Sequence, residues 1–130
     1  MDDKSVASRF DDVVALDDAL LQTLELKTGG AECKLVFDFG RLITDPTASI
    51  FDAQVYRPAC LVFSGVRSLA FDLASYQLNS TVIDSGATQR GDEVEFYLDL
   101  TGGRDDHFIV RLTIVAEDFE YSQLGPDEQR

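Results

Sequence analysis

The residues able to do chemistry are few, and their spacing limits what they could do. His107 is the only histidine. It follows Asp105-Asp106, so an Asp–His pair is at hand for acid–base work. Any Ser-His-Asp or Cys-His site would have to use it. Its expected place is the mouth of a hairpin with strand surface around it, which reads as an exposed strand end. No catalytic residue is assigned, and the chain reads as a non-enzyme. Zinc needs several Cys or His ligands at close spacing. Cys33, Cys60 and His107 are far apart, with no C-x-x-C or H-x-x-x-H. Calcium needs several oxygen ligands on one loop. Asp99, Asp105 and Asp106 flank Gly102-Gly103 but lack EF-hand spacing and a late bidentate Glu, so an acidic hairpin loop is expected. "DDVVALDD" offers two Asp pairs, 11–12 and 17–18, yet adjacent acids do not face each other on an element. Phosphate-cradling glycine motifs are absent. No cofactor is implied.

What remains is surface. Glu93, Glu95, Tyr97 and Asp99 fall on the polar face of one expected strand, and Glu117, Asp118, Glu120 and Tyr121 follow the next. Carboxylates accept forked hydrogen bonds from Arg, and Tyr adds area with a polar tip. Glu93, Glu95, Tyr97, Asp99, Glu117, Asp118 and Glu120 are therefore the candidate binding residues, set against a plain solvated sheet face.

Charge points the same way. The 130 residues carry 24 acids and 11 bases, a net charge of -13. Residues 1–18 hold six acids and two bases, 19–91 seven and six, and 92–130 eleven and three. Such a chain repels nucleic acid and anionic membranes. A partner chosen by charge is basic. The opening "MDDKSVASRF" lacks the basic and apolar regions of a secretory signal, and no run approaches the ~20 apolar residues of a membrane span. The expectation is a cytoplasmic protein with Cys33 and Cys60 as buried free thiols. Sequence alone leaves a disulfide between them open.

Period-two alternation must position these residues. In "CKLVFDF", Cys33, Leu35, Phe37 and Phe39 share a face. In "DEVEFYLDL", Val94, Phe96, Leu98 and Leu100 point one way. In "DHFIVRLTIVA", Phe108, Val110, Leu112, Ile114 and Ala116 do so. The last two runs, 92–101 and 106–116, form a hairpin across "TGGRD". Leu20, Leu24 and Leu26 share a parity, with Gly29-Gly30 as the following turn. A helical reading of "DDVVALDDALLQTL", capped by Asp17, competes with a strand from about 20 onward. "ACLVFS" is apolar on nearly both sides and suits a strand inside a sheet, after which Gly65 allows a sharp turn. Leu69, Phe71 and Leu73 mark a one-sided strand, and "STVID" near 80–84 adds another. The segment 41–57 is the least regular. The fold class is mainly β: a single domain, an antiparallel sandwich or strongly curved sheet of about seven strands, with room for a short N-terminal helix around 5–16. The ends, 1–8 and 123–130, read as flexible. An exposed edge strand could pair two copies, though nothing in the sequence demands it.

The order of these elements resembles a known family. "DDALLQTLEL", then "LVFSGVRSLAFDL" with "LNSTVID" behind it, then "FIVRLTIVAEDFEY", is similar to the immunity protein fifty family and related uncharacterised bacterial families. That pattern has an early "HDA", an "F-x-G-V-x-x-L" centre with a nearby "N-x-I", and a closing strand that ends in acids. Here the centre is Phe63 to Leu69, with Asn79 and Ile83 at a loose spacing. The "HDA" position reads Asp17-Asp18-Ala19, so the family's histidine has no counterpart. The resemblance spans roughly residues 17–120. It implies a small cytoplasmic protein that neutralises a bacterial toxin by binding and occluding it. A structural or adaptor domain, or a small-ligand or cation binder, are the alternatives that the residues leave open.

Overall fold

The structure, a computed structural model, describes residues 5–42, 58–71, 81–102 and 105–123, the side chains of 41, 42, 102 and 105–108 excepted. It is mainly β. Its elements are α1 (Val6–Val13), β1 (Val14–Ala15), β2 (Leu21–Lys27), a 3-10 turn (Thr28–Gly30), β3 (Glu32–Phe37), β4 (Arg41–Leu42), β5 (Ala59–Ser64), β6 (Ser68–Phe71), β7 (Val82–Arg90), β8 (Glu93–Gly102), β9 (Asp105–Ala116) and β10 (Asp118–Gln123). Two four-stranded antiparallel sheets, ordered β10-β5-β3-β2 and β6-β9-β8-β7, turn their inner faces to one shared core, and β1 and β4 form a separate two-residue ribbon. The expected sandwich is present.

The inner faces follow the alternation. Cys33, Leu35 and Phe37 on β3, Leu61 and Phe63 on β5, Phe96, Leu98 and Leu100 on β8, and Leu112 and Ile114 on β9 are fully buried. Phe63 and Phe96 join the sheets at 4.8 Å between ring centroids, tilted as aromatic quadrupoles favour. β5 lies inside its sheet, as its apolar pattern predicts. Its outer face is only partly closed, with Cys60 5% exposed, Val62 half-buried and Ser64 exposed. The two thiols are free: Cys33 faces the core beside Phe63, and Cys60 lies on the opposite face beside Val36.

The structure departs from several of these expectations. The N-terminal helix is shorter than 5–16. Ser5 caps it by accepting from the Ser8 N–H at 3.1 Å, and the β-branched pair Val13-Val14 turns the chain extended, so that Val14 and Ala15 pair with Leu42 and Arg41. Val6–Ser8 are helical and Ala7 is buried. The strand from about residue 20 is present as β2, and Asp17, with Asp18 at φ 70°, forms the turn into it rather than a helix cap. The parity of β2 is reset by a bulge between Leu21 and Thr23, which brings Leu21, Leu24 and Leu26 to the inner side in place of Leu20. The following turn has its left-handed residue at Ala31, φ 50°, rather than at a glycine.

Gly65 does make the sharp turn after β5. Its φ is 63°, and a Cβ there would come within 2.6 Å of the Glu117 carboxylate. "STVID" proves to be the start of a nine-residue strand, β7. Leu73, most of 41–57, and the side chains of Asp105, Asp106 and His107 lie outside the described residues, as do 1–4 and 124–130.

Candidate binding surface

The seven candidate residues do not form one face. β9 ends at Ala116 in one sheet and β10 begins at Asp118 in the other. Glu93, Glu95, Tyr97 and Asp99 therefore lie on the outer face of β8. Asp118 and Glu120 lie on the outer face of β10, and Glu117 sits at the crossing. Sequence alternation fixes the side of a strand but not the sheet that the strand joins.

The β8 face is acidic in sequence but not in net effect. Asp99 is held by Arg111 through both oxygens, at 2.7 Å from Nε and 2.9 Å from the terminal nitrogen, and its side chain is only 14% exposed. The same guanidinium stacks 4.3 Å from the Tyr97 ring centroid, which adds a cation–π contact. Glu95 meets Arg90 at 3.4 Å and Glu93 meets Arg67 at 2.8 Å. Tyr97 donates to Asp84 at 3.3 Å. Its ring lies across the edge strand at Gly86, where a Cβ would be 2.7 Å from Cε1. Burial first, then the Asp84 charge, pushes the Tyr97 hydroxyl above its usual range. Glu93, Glu95 and Asp99 thus each have an arginine, while Asp84, across from Asp99, is met by Tyr97.

On β10, Asp118 pairs with Arg9 of α1, whose guanidinium lies 4.8 Å from the Phe119 ring centroid. Glu120 lies across from Val62, which in turn faces Lys34. Glu117 and Glu120 are exposed, with no ion-pair partner among the described residues.

A different region has the stronger unbalanced charge. Residues 5–20 run along the seam between the sheets and cover the edge of β7. The Ala7 N–H donates to Gln89 Oε1 at 3.2 Å, the Asp11 carboxylate accepts from the Ala87 backbone, and the Asp18 N–H donates to the Val82 carbonyl at 2.8 Å. Phe10 anchors this segment, 1% exposed, with ring centroids 5.1 Å from both Phe96 and Phe119. Along this segment Asp11, Asp12, Asp17 and Asp18 are exposed, and Asp92 is exposed in the turn after β7. Among the described residues Asp11, Asp17, Asp18 and Asp92 have no basic partner. Burial raises the Asp11 carboxyl, the Ala87 hydrogen bond opposes that rise and the Asp12 charge adds to it. The two Asp pairs were visible in the sequence. Their arrival beside β7, some 70 residues away, was not.

The described residues contain no group of three or more His, Cys, Asp or Glu placed to hold a metal ion, and no helix long and apolar enough to cross a membrane. No family model, no curated protein and no solved structure matches the chain.

Proposed function

We propose that this is a non-enzymatic, cytoplasmic binding protein that occludes a basic protein partner, a toxin domain in the reading implied by its resemblance to immunity proteins. The observation that carries the proposal is the uneven neutralisation of charge. A net charge of -13 is not spread evenly. On the β8 face it is cancelled locally by arginines, whereas along the α1–β7 seam Asp11, Asp17, Asp18 and Asp92 stand exposed without basic partners among the described residues. Such a seam attracts a cationic surface from a distance and raises the encounter rate, because unscreened like charges focus the field. The β8 pairs would have to be broken before they could serve a partner, at a cost in desolvation and lost contacts.

The test is affinity capture from the native cell lysate with low-salt and then high-salt washes, followed by association kinetics with the captured protein. A single basic protein bound one-to-one and released by salt supports the proposal. Combining Asp11→Asn, Asp17→Lys, Asp18→Asn and Asp92→Lys is expected to slow association by roughly tenfold or more. Combining Glu93→Lys, Glu95→Lys and Asp99→Lys is expected to slow it less. An empty capture, or a captured protein whose association ignores the seam changes, overturns the assignment.

A further inference from the structure

β7 is the last strand of its sheet, and its outer side is covered in two different ways. At its start the cover is backbone. The Asp18 N–H donates to the Val82 carbonyl, the Val82 N–H donates to the Ala19 carbonyl at 2.8 Å, and Leu20 bridges Thr81. From Ser85 to Gln89 the cover is side chains. A two-residue turn, Gly91-Asp92, closes β7 onto β8 at the Arg90–Glu93 pair. Counting back from that hydrogen-bonded pair, alternation turns the backbone groups of Gln89, Ala87 and Ser85 away from β8. The Ser85 N–H donates to the Asp84 carboxylate at 2.9 Å, and the Ala87 N–H to the Asp11 carboxylate. The Ala7 N–H of α1 goes to the Gln89 side chain rather than to a β7 carbonyl. Among the described residues, no backbone group outside β8 bonds to the backbone of residues 83–90. Five residues of edge, about 17 Å, thus lie under a helix with no strand beside them.

We infer that α1 is a displaceable cover and that Ser85–Gln89 is a strand-addition edge, taken by an extended segment of the cationic partner that carries a large apolar residue opposite Ala87 and lysine or arginine at the end that meets Asp84. The partner's charge rests on the proposed function, and the pairing rests on the edge itself. α1 is a weak element. Its eight residues fall short of the about 12 that an isolated helix needs in water. Its last turn holds Asp11 and Asp12 at the negative pole of the helix, and no base. What holds it is the burial of Ala7 and Phe10 and the Arg9–Asp118 pair.

The packing shows what an entering strand has to bring. Across the inner face one row runs Ile114, Phe96, Ala87. Phe10 stands against Phe96 at 5.1 Å between ring centroids, beside the small residue that ends the row. An apolar side chain opposite Ala87 refills that place when α1 leaves. Carbonyls of the new strand take over the Ser85 and Ala87 N–H groups, as in β-augmentation, and so release the Asp84 and Asp11 carboxylates. Asp84 then meets the bases of the segment at the Val82 end of the edge, where Asp18 and its neighbour Asp17 also stand. Unlike charges set across a strand pair stabilise it.

Two synthetic peptides test this against the full chain. One is Thr-Val-Lys-Phe-Lys-Val-Lys. The other has the same sequence with N-methyl groups on both valines and the phenylalanine, the residues whose N–H groups would meet β7. Charge and side chains are identical, and only the ladder donors differ. Titration calorimetry is expected to show the first binding roughly tenfold more tightly than the second. In its complex, hydrogen exchange is expected to slow at Ser85, Ala87 and Gln89 and to quicken in α1. Phe10→Ala, checked for folding by circular dichroism, is expected to bind the first peptide roughly tenfold more tightly than wild type, because the closed state competes less. The wild-type exchange decides by itself if that variant does not fold. Equal affinity for the two peptides, lost at high salt, would overturn strand addition and leave the electrostatic reading standing. Unchanged exchange at Ser85–Gln89, α1 amides that stay protected in the complex, or no binding of the first peptide would each overturn it as well, whereas the capture experiment judges the proposed function separately.

Discussion

The outer face of β8 and the seam closed by residues 5–20 are both rich in carboxylates, and they behave as opposites. On β8, Asp99, Glu95 and Glu93 are each matched by an arginine from a neighbouring strand or turn. Along the seam, Asp11, Asp17, Asp18 and Asp92 have no such match among the described residues. What separates them is topology. An inner strand such as β8 has neighbours on both sides that can offer counter-charges, whereas a segment laid over an edge has solvent on its far side. Acid density in a sequence therefore says little about acid density as a partner would feel it.

The sharpest way to break the comparison is to remove the seam while leaving β8 intact. Phe10 is the anchor, buried between Phe96 and Phe119. Phe10→Ala is expected to cost about 3–5 kcal/mol, the usual range for a buried phenylalanine. α1 would loosen from the β7 edge, so amide exchange at Ala87 and Gln89 should rise before that of β8. Thermal denaturation and hydrogen exchange check both. Equal protection loss on β7 and β9 would mean that α1 is not an independent cover.

The second effect concerns the inside of the seam. Tyr121 donates to the Ala15 carbonyl, and burial pushes its hydroxyl up to about 12 from 10.0. Cys33, fully buried in the shared core, is pushed by burial to about 11 from 9.0. Both groups bind their protons more tightly folded than unfolded, so their contribution is complete below the unfolded values and is lost as pH rises through the folded ones. Stability should hold to about pH 9 and then fall, with Tyr121 accounting for about 2–3 kcal/mol of the drop between 10 and 12. Urea unfolding at a series of alkaline pH values should show that Tyr121→Phe flattens the upper part of that fall. Tyr97, on the β8 face, should titrate without unfolding the protein, which tyrosinate absorbance can separate.

Much of the sandwich was legible in the sequence because burial on a strand is local. Val94, Phe96, Leu98 and Leu100 announce an inner face with no knowledge of what covers it. Bulges and crossings are not legible in this way. The slip at Leu21–Thr23 moved Leu20 out of the leucine row, and the step from Ala116 to Asp118 divided the candidate surface between two sheets. Both depend on pairing with distant strands. The counter-charges were equally hidden: Arg67 and Arg90 are ordinary surface residues until the sheet sets them beside Glu93 and Glu95. The Asp11–Asp12 and Asp17–Asp18 pairs, by contrast, are plain in the sequence, but neighbouring acids diverge on a single element, so adjacency alone does not mark a site.

A smaller effect sharpens the β8 side. Asp99→Asn removes the charge that Arg111 grips and is expected to cost about 1 kcal/mol, the upper end for a bidentate pair with one partner exposed. A double-mutant cycle with Arg111→Met measures the coupling itself, and high salt should reduce it. Zero coupling would mean that the face is neutral by arithmetic only and that its carboxylates are as available to a partner as those of the seam.

The smallest effect has the opposite sign. Asp11 is raised above 3.8, chiefly by burial and further by Asp12, against the opposing Ala87 hydrogen bond. Its charged form is the one the fold resists, so whatever stability it lends is complete below 3.8 and is lost as pH rises through the folded value. Asp11→Asn keeps an oxygen to accept from Ala87 and removes the charge. It should therefore raise the melting temperature slightly at neutral pH, and the gain over wild type should vanish as pH falls toward 3.8. On β8 the same kind of change, Asp99→Asn, should lower it. On the proposed function, the field that such a carboxylate presents to a cationic partner would offset this cost. If Asp11→Asn instead destabilises the protein at neutral pH, the seam is held together by its charges, and the contrast with β8 disappears.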